Sequence, residues 1–256
     1  MAGHAFVVPA YGDSPFLPAC LASLGSQTCA SRIVVTTSTP STFIRESAAA
    51  AGALVIVNPE RAGIAADWNF ALAATDARHV TLAHQDDVYF PAFLAVSRDL
   101  LAKRPRAALA FTGYVEIDDH GTATRSKISL VKHALERLAL GGETEPSPAR
   151  LRAFLSFGNP LPCSSVTFDR FHLASFRFSD AFRSNLDWDA WLTLAETGVV
   201  FARTPERLIG RRHNPLTATS GLIREGVRAR EDLAIFRRLW PGPLADLIAF
   251  AYRAGY

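Results

Sequence analysis

The stretch Gly63–Pro91, GIAADWNFALAATDARHVTLAHQDDVYFP, decides the fold of this chain. Its first half spaces apolar side chains as one face of a helix does, and His79–Ala83 is a short apolar run typical of a buried strand. The strand leads directly into the polar cluster His84–Asp87, and Pro91 then marks the start of another helix. A strand that lies between two helices in this way is typical of a βαβ unit.

The same alternation continues on both sides of this stretch. Strands are predicted at Ala5–Pro9, Arg32–Thr37, Leu54–Val57, His79–Ala83, Ala108–Ile117, Ser164–Phe168, Val199–Arg203 and Arg207–Gly210. Strands that alternate with helices predict an α/β fold, a three-layer sandwich with a mostly parallel central sheet, and Leu222–Tyr256 is predicted to be a helical tail. Ligands bind beyond the carboxyl ends of the strands in such sheets, which points to Pro9–Asp13, Thr36–Pro40 and His84–Asp87.

The composition excludes several classes of protein. The 256 residues are 49% hydrophobic and 20% charged, which is typical of a folded domain and not of a disordered tail. No apolar run reaches the length of a transmembrane helix, and the first residues lack the basic segment of a signal peptide. Cys20, Cys29 and Cys163 form no Cys-x-x-Cys pair and are predicted to be reduced thiols of a cytoplasmic protein.

The charge is small overall but uneven along the chain. A net charge of +3 does not indicate a nucleic-acid-binding protein. Nine arginines nevertheless lie between Arg203 and Arg238, against four acidic residues. This excess has two interpretations: the arginines hold the phosphates of a ligand, above all at Arg211 and Arg212, or they contact an anionic membrane surface.

Asp86 and Asp87 are adjacent carboxylates at the end of an apolar strand. Burying such charges without a counter-charge costs several kcal/mol, on the order of 2–5. A divalent cation removes this cost and prefers oxygen ligands. The alternative is a solvated Asp-Asp turn, and His84 either adds a nitrogen ligand or forms an ordinary hydrogen bond.

A second acidic pair, Asp187 and Asp189, lies at the start of a helix predicted over Asp187–Thr197. An aspartate in this position caps the helix by accepting hydrogen bonds from backbone N–H groups. The same carboxylate, held ionised at the helix N-terminus, can act as a general base toward a hydroxyl. The two interpretations are compatible, and both stay open.

The segment Gly210–Asn214 combines two arginines with a histidine. The forks of Arg211 and Arg212 match phosphate oxygens, and His213 offers an imidazole that either binds a metal or forms a structural hydrogen bond. The chain has no GxGxxG after its first strand, no GxxxxGK[ST] and no GxSxG. These absences disfavour dinucleotide oxidoreductases, P-loop NTPases and α/β-hydrolases.

Five segments resemble, in their order and spacing, the family 2 glycosyltransferases, which have the GT-A fold. They are VVPAYGDSPFLPACLASLGSQT (7–28), the stretch 63–91, FGNPLPCSSVTFDR (157–170), LDWDAWLTLAETG (186–198) and IGRRH (209–213). The resemblance extends from residue 4 to about residue 220. It implies a Rossmann-like GT-A domain at residues 1–220, with a C-terminal helical extension at 221–256 packed on it.

The resemblance implies an inverting enzyme that moves a hexosyl or related sugar from a nucleotide diphosphate sugar to an acceptor hydroxyl. Asp187 stands at the aspartate of the family's Glu-Asp motif and is the expected general base. Asp86, Asp87 and His213 are the expected ligands of Mn²⁺ or Mg²⁺. The expected nucleotide-sugar contacts are Pro9, Ala10, Tyr11, Thr36, Thr37, Asn69, Gln85, Asp86, Arg211 and Arg212.

The chain departs from the family pattern at three places. Thr36 and Thr37 stand where the family commonly has two aspartates that bind the nucleoside, and His84 stands at the first position of the DxD motif. Trp68 stands where an arginine is common. Hydroxyl groups can still hydrogen-bond a base or a ribose, so these departures leave the identity of the nucleotide open.

The expected partners are a nucleotide diphosphate sugar and a glycan or lipid-linked acceptor, and no nucleic acid. The expected role is in bacterial surface polysaccharide or glycolipid synthesis, in the cytoplasm, with a peripheral contact at the inner face of the membrane as an alternative. The rival function is a catalytically silent protein that binds a nucleotide sugar or a glycan. A nucleotidyltransferase is disfavoured because YGDSPF (11–16) is not the glycine-rich, basic loop of that class.

Overall fold

The computed structural model describes residues 3–124, 127–212 and 218–253, with side chains outside 127–133 and 218–220. Within these residues a mixed sheet lies between layers of helices. The strands are β1 (His4–Ala10), β2 (Arg32–Thr37), β3 (Leu54–Val57), β4 (His79–Leu82), β5 (Val88–Tyr89), β6 (Ala107–Ile117), β7 (Ala123–Thr124), β8 (Val166–Asp169) and β9 (Val200–Arg212). The helices are α1 (Leu17–Gly25), α2 (Thr42–Ala50), α3 (Ile64–Ala73), α4 (Phe93–Lys103), α5 (Lys127–Leu140), α6 (Pro148–Leu155), α7 (Leu186–Glu196), α8 (Ala218–Arg224), α9 (Val227–Leu239) and α10 (Gly242–Arg253), with a 3-10 turn at Cys163–Ser165.

The strand order is β3-β2-β1-β4-β8-β6-β9-β5, and β7 pairs with β6. The first four strands in this order are parallel to one another. β8 runs antiparallel to both of its neighbours, whereas β6 and β9 are parallel. This architecture confirms the predicted α/β fold class and gathers the ends of β1, β2 and β4 at one rim of the sheet.

β1 shows why the sheet is covered on both faces. Phe6 and Val8 face one core together with residues of α1, α2 and α4. Ala5 and Val7 face the other core, which includes residues of α3, α6 and α7. Since successive side chains of a strand point to opposite faces, a strand that is apolar at every position must be buried on both.

Two predicted strands, Val199–Arg203 and Arg207–Gly210, form the single long strand β9. The intervening residues do not break the strand, because the β6–β9 register shifts around Gly113. A side chain at Gly113 would meet the carbonyl oxygens of Pro205 and Glu206 at 2.9 and 3.1 Å. The absence of a Cβ there lets the two strands stay paired up to Arg212.

The two tryptophans of α7 are core residues. The side chains of Trp188 and Trp191 are fully buried, and their Nε1 groups donate to the carbonyls of Leu155 and Leu161 at 3.0 Å. Phe236 of α9 packs against Trp188, with 5.2 Å between ring centroids. The packing of α9 on this core agrees with a tail that lies on the domain, and the boundary at residue 220 stays a prediction.

The three cysteines are free thiols. Cys20 and Cys163 are buried, and burial raises the pKa of both thiols well above its usual range.

In the described part of the chain, no helix combines the length and apolar character needed to span a bilayer.

Candidate active site

The acidic turn, residues His84–Asp87, follows β4 at the rim where the parallel strands end. Ligand atoms of His84, Asp86 and Asp87 lie within 4.8 Å of one another. The turn continues directly from the buried strand, because Ala83 donates its N–H to the carbonyl of Val7 at 2.8 Å. This arrangement brings together the two predicted metal ligands and the histidine that departs from the family pattern.

The electrostatics of the acidic turn favour a cation. Burial and the neighbouring Asp86 carboxylate raise the pKa of Asp87 to about 6. The Nε2 atom of His84 is buried and has no hydrogen-bond partner among the described residues. Two carboxylates and an imidazole nitrogen at this spacing are a donor set that suits a divalent cation such as Mn²⁺, so the residues present fit such an ion.

Arg212 at the end of β9 braces the acidic turn. Its backbone N–H donates to Asp87 Oδ1 and its Nε donates to the carbonyl of Asp86, both at 2.9 Å. A third bond joins its Nη1 to the carbonyl of Asp118, and its guanidinium lies 4.4 Å from the ring centroid of Phe16. These bonds assign Arg212 a structural task, and its predicted contact with a phosphate stays a prediction.

Arg211 lies opposite Glu116 in the pairing of β6 with β9. Burial by itself would lower the pKa of its guanidinium, but the charges of Asp87, Asp187 and Glu116 and the hydroxyl of Tyr114 raise it. Its side chain is half-buried and makes no hydrogen bond or ion pair within the described residues. The charges of the acidic turn and of the start of α7 thus both act on Arg211, together with that of Glu116.

Asp187 and Asp189 have different surroundings, although both lie in the first turn of α7. Asp187 is partly exposed and accepts the N–H of Trp188 at 2.9 Å, so it does cap the start of its own helix. Asp189 forms an ion pair with Arg238 at 2.9 Å, and burial raises the pKa of its carboxyl. Asp187 is therefore the aspartate of this pair that influences Arg211.

The loop after β1 is joined to the acidic turn through Gln85. The Gln85 side chain accepts the N–H of Tyr11 at 3.2 Å and donates to the Tyr11 carbonyl at 3.1 Å. Pro9 and Ala10 end the neighbouring strand, and Tyr11 is 61% exposed. The predicted donor-binding residues of this loop thus lie beside the acidic turn.

The end of β2 carries hydroxyl groups in place of the two aspartates. Thr36 and Thr37 are buried and lie next to Pro9 and Ala10 in the parallel register. The Thr36 hydroxyl has no partner among the described residues. Thr37 Oγ1 accepts the N–H of Thr39 at 3.0 Å, so this hydroxyl shapes the loop after the strand.

Asp67 supplies a carboxylate to this rim from another element, and sequence reasoning missed it. Its two oxygens accept bonds from Ser38 Oγ at 3.0 Å and from Asn58 Nδ2 at 2.9 Å. These partners follow β2 and β3 directly. The sequence signal for Asp67 was its position in the first turn of a helix that follows a glycine. Gly63 is the N-cap residue of α3 and has a φ of 97°.

Asn69 has a structural partner for both ends of its amide. Its Nδ2 donates to the carbonyl of Phe178 at 2.9 Å, and its Oδ1 accepts the Phe178 N–H at 2.8 Å. Trp68 beside it packs against the rings of His84 and Phe178, each at 5.0 Å between centroids. The contact between Asn69 and a nucleotide sugar stays a prediction.

The predicted metal ligand His213 lies outside the described residues.

The profile of Glycosyl transferase family 2 matches residues 5–179, more than half of the chain. The chain belongs to this family. No curated protein sequence matches this glycosyltransferase-family chain.

Solved structures of glycosyltransferases share the fold of this family 2 chain. S. aureus TarS 1-349 in complex with UDP-GlcNAc is 13% identical, with a TM-score of 0.64 over 96% of this chain and 70% of that one. The Pyrobaculum calidifontis mannosyltransferase PcManGT with GDP-Man and Mn²⁺ is 17% identical, with a TM-score of 0.66 over 98% and 70%. The Mycobacterium tuberculosis glucosyl-3-phosphoglycerate synthase with Mn²⁺ and UDP is 19% identical, with a TM-score of 0.59 over 89% and 78%. The chain spans only 43% of a longer TarS structure that it also matches.

These likenesses confirm that the family 2 chain has a GT-A glycosyltransferase fold. Some of these similar structures contain a nucleotide or a nucleotide sugar, and two of them also contain Mn²⁺. The acidic turn of this chain offers a comparable donor set at the rim of its sheet.

Proposed function

We propose that this chain is an inverting glycosyltransferase that moves a sugar from a nucleotide diphosphate sugar to an acceptor hydroxyl. The observation that carries the proposal is the cluster of ligand atoms of His84, Asp86 and Asp87 within 4.8 Å at the rim of a family 2 fold. The charges of Asp87 and Asp187 both raise the pKa of Arg211, which supports a common site. A metal-binding group and a carboxylate base at the same cleft are the two parts that sugar transfer with inversion requires.

In this proposal the donor lies across the rim formed by the β1 loop and the acidic turn. Gln85 fixes the Tyr11 backbone there, which supports a binding surface built before the donor arrives. His84, Asp86 and Asp87 would hold the divalent cation, with His213 as a further predicted ligand. The bound ion would neutralise the negative charge of the diphosphate.

The acceptor oxygen attacks the anomeric carbon from the face opposite the diphosphate. A carbon–oxygen bond forms to the acceptor while the bond from the anomeric carbon to the phosphate oxygen breaks, and its electron pair leaves with the nucleoside diphosphate. Asp187 takes the proton of the acceptor hydroxyl. Arg211 stabilises the charge that develops on the leaving diphosphate, since guanidinium groups match phosphate oxygens.

A binding panel tests the donor site directly. UDP, GDP, dTDP, CDP and ADP are added with and without Mn²⁺, and the shift in thermal midpoint is measured. We expect one nucleotide to stabilise the protein more strongly when Mn²⁺ is present, because bound ligands stabilise the folded state. No shift with any nucleotide would overturn the proposal.

The first prediction concerns the base. The change Asp187→Asn keeps the size of the side chain but removes the proton acceptor, so turnover should fall by about 10²-fold or more. Hydrolysis of UDP-glucose, UDP-GlcNAc and GDP-mannose measures turnover, and the nucleotide panel measures binding, which should persist. Asp189→Asn is the matched control, because this carboxylate is paired with Arg238.

An unchanged turnover in Asp187→Asn would contradict the assignment of the base. Metal-dependent nucleotide binding without hydrolysis of any sugar donor by the wild-type chain would favour the silent binding protein instead. That alternative rests on Thr36, Thr37 and His84, which stand where the family commonly has aspartates. Hexosyl transfer, a role in bacterial surface polysaccharide or glycolipid synthesis and a cytoplasmic location are predictions from the family resemblance.

A further inference from the structure

A carboxylate of α9 holds the segment that leads into α7. Glu231 Oε1 accepts the N–H of Arg183 at 2.7 Å. Glu231 Oε2 accepts the N–H groups of Ser184 and Asn185 at 2.8 and 3.0 Å. One side chain thus binds three consecutive backbone donors.

The neighbouring Asp232 adds a second contact to the same segment. It is fully buried, and its Oδ1 accepts a hydrogen bond from Asn185 Nδ2 at 2.8 Å. Asn185 is the N-cap residue of α7, but its side chain makes no capping bond to that helix. The side chain of Asn185 is used to join α7 to α9. We call Glu231 and Asp232 the α9 clamp.

The α9 clamp accepts hydrogen bonds from backbone N–H groups that have no acceptor within α7. Residues 183–185 precede the first turn of α7, so their N–H groups have no partner within that helix. Asn185 is buried, Ser184 is partly buried and Arg183 is exposed, so the cost of an unpartnered backbone donor is greatest at Asn185. Charge-assisted bonds to a carboxylate are among the strongest available. Loss of the carboxylate would force these residues to move toward other partners.

The residue that would move with them is Asp187, two positions beyond Asn185. Small displacements of a reacting group have large effects, and about 1 Å can cost about 10²-fold in rate. The clamp also lies outside the segment that matches the family profile, which ends at residue 179. Asp187 lies beyond residue 179 as well, so the expected base and the residues that hold it are both outside the matched segment.

We propose that Glu231 and Asp232 are positioning residues that act through Asp187, holding its carboxylate where it can take the proton of the acceptor hydroxyl. The proposal rests on the proposed function, in which Asp187 is the base. The contacts of the α9 clamp reach the backbone before α7 and not the cleft, so the clamp leaves donor binding unaffected.

Deuterium exchange tests the structural half of the proposal without any substrate. Glu231→Gln should speed exchange at residues 183–189, while Glu225→Gln, an exposed glutamate just before α9, should leave it unchanged. Glu231→Asp is the second variant if Glu231→Gln does not fold, because its shorter side chain cannot reach all three donors. Unchanged exchange over 183–189 in a folded variant would overturn the proposal.

A double-mutant cycle tests the functional half. Turnover is measured as Mn²⁺-dependent hydrolysis of the fastest of UDP-glucose, UDP-GlcNAc and GDP-mannose. Glu231→Gln should lower kcat by about 10-fold or more with KM for the nucleotide sugar within about twofold. In an Asp187→Asn background it should lower kcat no further, although the thermal midpoint falls by the same amount in both backgrounds.

Each failure of this cycle has a separate meaning. An equal drop in kcat in both backgrounds would assign the clamp a purely structural role and overturn the proposal. Full turnover in Asp187→Asn alone would overturn the assignment of the base, and with it both proposals. Loss of nucleotide binding in Glu231→Gln would contradict the claim that the clamp acts through Asp187.

Discussion

At the residue scale, Arg212 links two segments that are far apart in the sequence. Its backbone N–H and its Nε donate to the Asp87 carboxylate and the Asp86 carbonyl, so the end of β9 fixes the carboxylate of Asp87 and the backbone of Asp86. Arg212 is 6% exposed, and its guanidinium lies against the ring of Phe16. Groups that orient metal ligands in this way commonly influence metal affinity.

Arg212→Lys should weaken Mn²⁺ binding to the acidic turn by about 10-fold or more, because a lysine keeps the charge but cannot make the same fork of bonds. Titration followed by the Mn²⁺ electron paramagnetic resonance signal measures the affinity. Arg207→Lys is the matched control, since Arg207 is exposed on the same strand. Equal Mn²⁺ affinities for the wild type and Arg212→Lys would contradict the bracing role.

The buried imidazole of His4 makes the stability of the fold depend on pH. Its Nδ1 lies 2.7 Å from Ser31 Oγ and its Nε2 lies 3.0 Å from Thr81 Oγ1. Burial, with smaller contributions from His79 and Arg98, lowers the pKa of His4 from 6.5 to about 3. Between these two values the unfolded chain takes up a proton that the folded chain does not, so stability is lost as the pH falls below 6.5.

The free energy of unfolding should therefore fall by about 2 kcal/mol from His4 alone between pH 7.5 and pH 5. His4→Gln cannot be protonated, so it should flatten this pH dependence whatever its effect at pH 7.5. Urea unfolding at the two pH values measures the difference. The exposed His120→Gln should behave as the wild type does, and an unchanged slope in His4→Gln would contradict the buried neutral state.

At the element scale, the pairing of β6 with β9 sets the position of the arginines at the cleft. Gly113→Ala would place a Cβ 2.9 Å from the carbonyl oxygen of Pro205, a fixed backbone atom. We expect a loss of about 1–3 kcal/mol of stability, as for other overpacking changes. Denaturant unfolding measures the loss, and Gly142→Ala, which meets nothing within 4 Å, should be close to neutral.

The elements show which parts of the fold could be predicted from the sequence. Periodicity located β1 and β4, because a strand buried on both faces is apolar at nearly every position. It also located β2 and the edge strand β3, which are short apolar runs bounded by turn residues. It missed β5 and β7, which have two residues each. A run of two residues carries no period that distinguishes a strand from a loop.

The candidate site, like the fold, could be predicted from the sequence only where local patterns carry the information. The local pattern marked Asp86, Asp87 and Asp187 as candidates, with a solvated turn and helix capping as the alternatives, and only the family resemblance assigned Asp187 the role of base. It could not show that Asp187 depends on Glu231, because three bonds to backbone N–H groups 46–48 residues away leave no local pattern. Contacts of this kind depend on tertiary packing alone.

At the scale of the whole molecule, much of the arginine excess is neutralised within the fold. Arg203 is buried and lies 2.7 Å from Glu136, and Arg237 pairs with Asp246 at 3.0 Å. Arg238 pairs with Asp189. Arg211 lacks an ion pair among the described residues, and it lies one residue from Arg212, which binds the acidic turn, so its place in the fold favours the phosphate interpretation. A peripheral membrane contact stays a prediction.

The packing of the C-terminal helices predicts a single unfolding transition. Phe236 of α9 is fully buried between Trp188 and Tyr252, with ring centroids 5.2 and 5.5 Å away. Trp240 Nε1 also donates to the Ser156 carbonyl at 2.8 Å. Since α9 shares the core of α7, the helical tail should not unfold separately from the sheet.

Phe236→Ala should therefore lower the free energy of unfolding of the whole chain by about 3–5 kcal/mol, because it opens a cavity in the shared core. Circular dichroism and tryptophan fluorescence, followed through urea unfolding, should give coincident transitions in the wild type and in the variant. Phe250→Ala on α10 is the control, since this ring is 76% exposed and its loss should cost little. An early transition confined to part of the helical signal would show instead that residues 221–256 fold independently of the sheet, and the α9 clamp would then be open before the sheet unfolds.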